Sequence, residues 1–127
     1  MMNLAERISD SELEIMRVLW DAGSAMTINE IKAVLLQKST WEDSTIRTLI
    51  RRLHQKEVLM QEKRGVFYYA PRISEAEYNE YSTRRLIDRL YHGSPKALIA
   101  ALATHESFTE EEIEELRSMF IGGMKHE

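Results

Sequence analysis

The sequence predicts a mainly α fold with a small β-hairpin, and three observations carry that prediction. Four Ser/Thr-x-x-Glu boxes, each flanked by apolar side chains, punctuate the 127 residues. One stretch repeats apolar residues at the i, i+3, i+4, i+7 spacing of a helix. Two short β-prone runs then flank Gly65. Only two prolines and five glycines are present, which argues against a compact all-β fold built on turns.

In Ser9-Asp10-Ser11-Glu12 the hydroxyl can accept from the amide three residues on, while the carboxylate reaches back to the cap. Ile8 and Leu13 stand at staple positions, so a helix is expected over 9–21. Thr27 and Glu30, with Met26 and Ile31 around them, predict a second helix over 27–38. Ile46, Leu49, Ile50 and Leu53 make the apolar stripe of a third, over 43–56, with Glu42 and Asp43 at its positive end. Val58–Glu62 and Val66–Ala70 follow as strands joined across Lys63-Arg64-Gly65. Gly65 supplies the positive φ of a tight turn, and Pro71 closes the second strand. Ser74 with Glu77 starts a helix over 74–92, Ser94-Pro95 another over 95–104, and Thr109 with Glu112 a last one over 109–121.

Composition bounds the function. At 43% hydrophobic and 30% charged the chain can fill a core, and zero cysteines exclude disulfides, thiolate metal sites and cysteine nucleophiles. No apolar run approaches a membrane span and the start does not read as a signal peptide, so a cytoplasmic protein without membrane partners is expected. His54 with Glu57, His105 with Glu106 and His126 with Glu127 lack a third ligand, so no metal or other cofactor is expected. No phosphate loop, nucleophile set or carboxylate pair is recognisable, and an enzyme is not expected.

The net charge of −4 conceals an asymmetry. Residues 1–73 carry 11 basic and 10 acidic side chains, whereas 74–127 carry 6 and 11. Within 44–72 seven basic residues face two acidic ones, a local stripe of +5. On the helical wheel of 43–56, Ser44, Thr48, Arg51 and Gln55 fall opposite the apolar stripe, with Arg47 and Arg52 on the flanks. Such an outer face suits base edges and phosphates of the major groove, and Lys63 and Arg64 at a hairpin tip suit flanking backbone.

The expected architecture is therefore a winged helix-turn-helix DNA-binding domain, 1–73, plus a C-terminal three-helix dimerisation arm, 74–127. The arm is apolar in Tyr78, Tyr81, Ile87, Leu90, Ile113, Leu116 and Phe120, too apolar for so short a segment to stand alone, so it either folds onto the first half or interlocks with a second copy, the option favoured here. An isologous dimer would double the DNA site, giving double-stranded DNA with a palindromic operator and a second copy of the chain as partners. Two alternatives stay open: a regulator released by a small ligand, and a winged-helix protein-docking module without a nucleic-acid role.

Ile8 to Trp20, Thr45 to Leu53, Leu90-Tyr91-His92-Gly93 and Glu112 to Arg117 together resemble the penicillinase-repressor (BlaI/MecI) family over nearly the whole chain. The resemblance implies a dimeric repressor that binds inverted repeats with a TACA/TGTA core and silences β-lactam-resistance or related genes. Thr45, Arg47, Thr48 and Arg52 coincide with that family's recognition-helix pattern, and Trp41 with the aromatic before it. Ser44 stands where a lysine is common, Arg51 replaces a smaller polar residue, and Glu57 replaces a frequent glycine after the helix. The resemblance further implies release by a sensor-linked protease in the arm. The pair equivalent to the family's Asn-Phe cleavage bond is Ala101-Leu102, and the copper-responsive branch is excluded because its cysteine motif is missing.

Overall fold

The computed structural model describes residues 3–38 and 40–124. After a single 3-10 turn at Leu4–Arg7 come α1 (Asp10–Ala22), α2 (Ile28–Lys38) and α3 (Asp43–Gln55). A hairpin of β1 (Leu59–Arg64) and β2 (Val66–Pro71) follows, then α4 (Glu75–Leu90), α5 (Pro95–His105) and α6 (Glu110–Met124).

The helices begin where the boxes place them because both halves of each box are made. The Ser9 N–H donates to Glu12 Oε1 at 3.0 Å and the Glu12 N–H to Ser9 Oγ at 3.2 Å. Thr27 and Glu30, Ser74 and Glu77, and Thr109 and Glu112 repeat the exchange. Ser94 Oγ accepts from the Ala97 N–H at 3.1 Å, with Pro95 opening α5.

The chain divides into two compact units, one reaching Thr83 and the other starting at Arg84. The first has the core. Ile15, Met16 and Leu19 from α1, Ile31 and Leu35 from α2, and Ile46, Leu49, Ile50 and Leu53 from α3 are all buried with Val58 and Leu59. The Met26 and Tyr69 backbones exchange hydrogen bonds of 3.0 and 2.8 Å, which adds a short third strand on the free edge of β2.

This unit reaches past the division expected at 73/74 because the start of α4 packs back on it. Trp20 Nε1 donates to the Ile73 carbonyl at 2.9 Å, Tyr78 lies 5.6 Å from the Trp20 ring, and the Tyr81 hydroxyl donates to Glu6. Tyr78 and Tyr81, assigned to the arm from the sequence, thus support the first unit's core.

In the second unit α5 contains no buried residue. Ile99, Leu102, Phe108, Ile113, Leu116 and Phe120 line an apolar groove of about 620 Å³ between α5 and α6. Among the described residues no helix is long and apolar enough to cross a membrane.

Candidate nucleic-acid interface

α3 is amphipathic in the way its wheel requires. Ile46, Ile50 and Leu53 are fully buried, while Ser44, Thr45, Arg47, Arg51 and Arg52 are exposed and Thr48 is half-buried. Trp41, just before the helix, packs against the core. One surface thus presents all six side chains expected on the recognition helix.

The helix end is built by three bonds. The N–H of Lys56, the C-cap, donates to the Arg52 carbonyl at 2.9 Å, the Glu57 N–H to the His54 carbonyl at 3.0 Å, and the Val58 N–H to the Leu53 carbonyl at 3.0 Å. This is a Schellman closure, sealed by the buried pair Leu53 and Val58. It requires a left-handed residue between cap and strand, and Glu57 occupies that place with φ +66°. The helix therefore ends as a glycine would end it, at a conformational cost.

Two side-chain bonds hold this end to the N-terminal 3-10 turn and to α1. Arg7 Nη1 donates to the Lys56 carbonyl at 2.8 Å, and Lys56 Nζ donates to Glu12 Oε1 at 2.5 Å. Glu12 is 1% exposed, and its carboxylate serves the α1 cap and Lys56 together. Lys56, counted in the basic stripe from the sequence, is thus committed to the scaffold.

The wing differs from expectation in one respect. The ladder runs on to Lys63↔Phe67 and Arg64↔Val66, so both cations are strand residues and only Gly65, at φ +79°, turns the chain. The cations extend along the strands because aromatic rings from β2 support them. Lys63 Nζ lies 5.8 Å from the Phe67 ring centre and the Arg64 guanidinium 5.3 Å from that of Tyr68. Arg64 also pairs with Glu62 at 2.9 Å, which holds the Glu62 carboxyl below its usual range and raises the guanidinium. Both groups are exposed, so phosphate can replace the carboxylate at little cost.

Asp43, read from the sequence only as a helix-dipole partner, has a second engagement. Its Oδ2 accepts from Arg47 Nε at 2.9 Å and its Oδ1 pairs with Lys32 of α2. These donors, Lys32 first, hold its carboxyl below the usual 3.8. The Arg47 half was legible as an i, i+4 spacing, whereas Lys32 arrives only through the packing of α2 on α3. Among the described residues Arg51 and Arg52 form no ion pair.

His54, weighed as a metal ligand, stands edge-on to Tyr69 at 6.1 Å. The pair His126 and Glu127 lies outside the described residues. Ala101 and Leu102 sit within α5, Ala101 half-buried and Leu102 44% exposed on the groove.

A three-helix core, a β-hairpin wing and a cationic, hydrogen-bonding outer face on the third helix define a winged helix-turn-helix protein of the nucleic-acid-binding class. Residues 8–121 match the model of the penicillinase repressor family. The chain belongs to that family. The penicillinase repressor of Bacillus licheniformis is 38% identical over 111 residues, spanning 87% of this chain and 86% of that protein. A solution structure of the DNA-binding domain of the repressor BlaI superposes with a TM-score of 0.53 at 42% identity, covering 61% of this chain and 94% of that one. A second solution structure is of Bacillus licheniformis BlaI, in monomeric form and in complex with the blaP half-operator. It matches with a TM-score of 0.50 at 44% identity, covering 56% of this chain and 87% of that one.

Proposed function

We propose that this protein is a homodimeric, non-enzymatic transcriptional repressor of the cytoplasm that binds an inverted-repeat operator and controls β-lactam-resistance or related genes. The observation that carries the reading is the outer face of α3, where Ser44, Thr45, Arg47, Thr48, Arg51 and Arg52 are exposed or half-exposed, in a unit whose wing carries the exposed cations Lys63 and Arg64. Among the described residues Arg51 and Arg52 form no ion pair, and both suit a guanine edge or a phosphate. Ser44, Thr45 and Thr48 suit either, and Lys63 and Arg64 suit flanking backbone.

Two observations support two-fold pairing through the arm. The related BlaI takes a half-operator as a monomer, so a complete site calls for two copies. The groove between α5 and α6 also leaves Phe120 54% and Ile113 46% exposed on each protomer, an apolar face that a second copy can cover symmetrically.

Release by a sensor-linked protease at Ala101-Leu102 fits the same arrangement, since a cut there would part α6 from the rest of the groove. The bond lies inside a helix, so α5 must open locally before a protease can reach it.

A gel-shift titration on palindromic and scrambled duplexes tests the DNA reading. Arg51→Ala should weaken the palindrome by about 1–3 kcal/mol and relax its sequence preference. Lys63→Ala should weaken all duplexes alike and flatten the salt slope by about one unit. A wild type that binds neither duplex would instead favour a protein-docking role.

A further inference from the structure

Arg47 is unlike the other two arginines of α3 because its guanidinium is already engaged. A guanidinium offers two hydrogen-bonding edges, one through Nε and one through its two terminal nitrogens. Asp43 Oδ2 occupies Nε at 2.9 Å, and among the described residues no acceptor takes the terminal edge of the fork. That edge matches the O6 and N7 acceptors that guanine shows in the major groove.

Asp43 is itself held. Lys32 pairs with its other oxygen, and the Lys32 side chain is only 21% exposed in the crease between α2 and α3. Residue type explains why both members are needed. A free arginine loses much rotamer freedom when it docks on a base, and a carboxylate that pins it beforehand removes part of that loss. An unpaired carboxylate in the first turn of a recognition helix would, however, repel phosphate. Lys32 compensates it, so Lys32, Asp43 and Arg47 together present one net positive charge. Because Asp43 is held below its ordinary titration range, it is ionised at neutral pH.

We propose that Asp43 and Lys32 are positioning residues for Arg47, pre-setting its terminal edge to read one guanine in each operator half-site. The inference rests on the DNA-binding function proposed above. Asp43 is a specificity determinant acting through Arg47, and Lys32 neutralises the carboxylate that does the positioning.

The test uses the full-length protein and a duplex enriched by the wild type from a fully randomised pool, with each base pair then replaced singly. Asp43→Ala should lower discrimination at the base pair that Arg47→Ala affects, by about tenfold. It should also tighten binding to scrambled duplex, because a negative charge is gone. In an Arg47→Ala background the Asp43 substitution should change discrimination at that pair no further. Lys32→Met should weaken all duplexes while leaving the order of base preference intact, and thermal melts of every variant establish folding.

Full discrimination by Asp43→Ala would overturn the inference. So would an undiminished Asp43 effect without Arg47, which would make Asp43 itself a base contact. Either result leaves the repressor function standing. A wild type that enriches no sequence at all overturns the function and the inference together.

Discussion

Replacing Glu57 by glycine should stabilise the DNA-binding unit. Glu57 closes α3 at φ +66°, and a left-handed conformation costs an L-residue with a Cβ about 1–2 kcal/mol. Glycine removes that strain but widens the unfolded ensemble, which offsets about 0.4–1 kcal/mol of the gain. The substitution also loses the Arg7–Glu57 contact. At 3.8 Å, with the glutamate side chain 76% exposed, that contact contributes little. The net is a stabilisation of about 0.5–1 kcal/mol, or about 2–6 °C in the melting temperature of a unit this size. Thermal unfolding followed by circular dichroism measures it, with Glu57→Ala as the control. Alanine loses the same ion pair and retains the strain, so it should not stabilise. Equal gains from alanine and glycine would refute a backbone origin, and a glycine variant that melts lower would refute the strain altogether.

Three further outcomes follow from the same geometry. Glu12→Ala leaves the Ser9 amide and Lys56 without their shared carboxylate, so it should cost about 2–3 kcal/mol in urea denaturation; a loss no larger than that of an exposed glutamate would contradict its double role. Leu116→Glu, on the groove yet 39% exposed in the protomer, should leave the fold intact and shift sedimentation to the monomer; a variant still dimeric would place the interface elsewhere. Asp43 has a lowered folded pKa, so its contribution is complete above its ordinary 3.8 and is lost as the pH falls through the folded value. Wild type and Asp43→Asn should therefore differ in urea midpoint at neutral pH and converge in acid, and parallel curves would count against the ion pairs.

The reach of the sequence followed the range of the forces involved. Capping boxes act over three residues and the α3 stripe over seven, so Ser9, Thr27, Ser74 and Thr109 announced their helices. Ile46, Leu49, Ile50 and Leu53 likewise announced the buried face of the third one. The outer face of that helix came with it, because a period of 3.6 leaves the complement no freedom. Its chemistry was readable for the same reason, as was membership of the repressor family.

Pairing across the fold was not readable. Lys56 is a free cation in the sequence and a partner of buried Glu12 in the structure, 44 positions away. Asp43 reads as a helix-dipole partner in the sequence, yet Lys32, on a different helix, anchors its carboxylate beside Arg47 in the structure. Tyr78 and Tyr81 share a helix with the arm, yet Trp20 and Glu6 draw them to the first unit. Periodicity and local hydrogen bonding thus determined which residues form each element and which face turns outward. Only tertiary packing decided which charges are engaged across elements, since the energy of an ion pair depends on a distance that chain separation does not reveal.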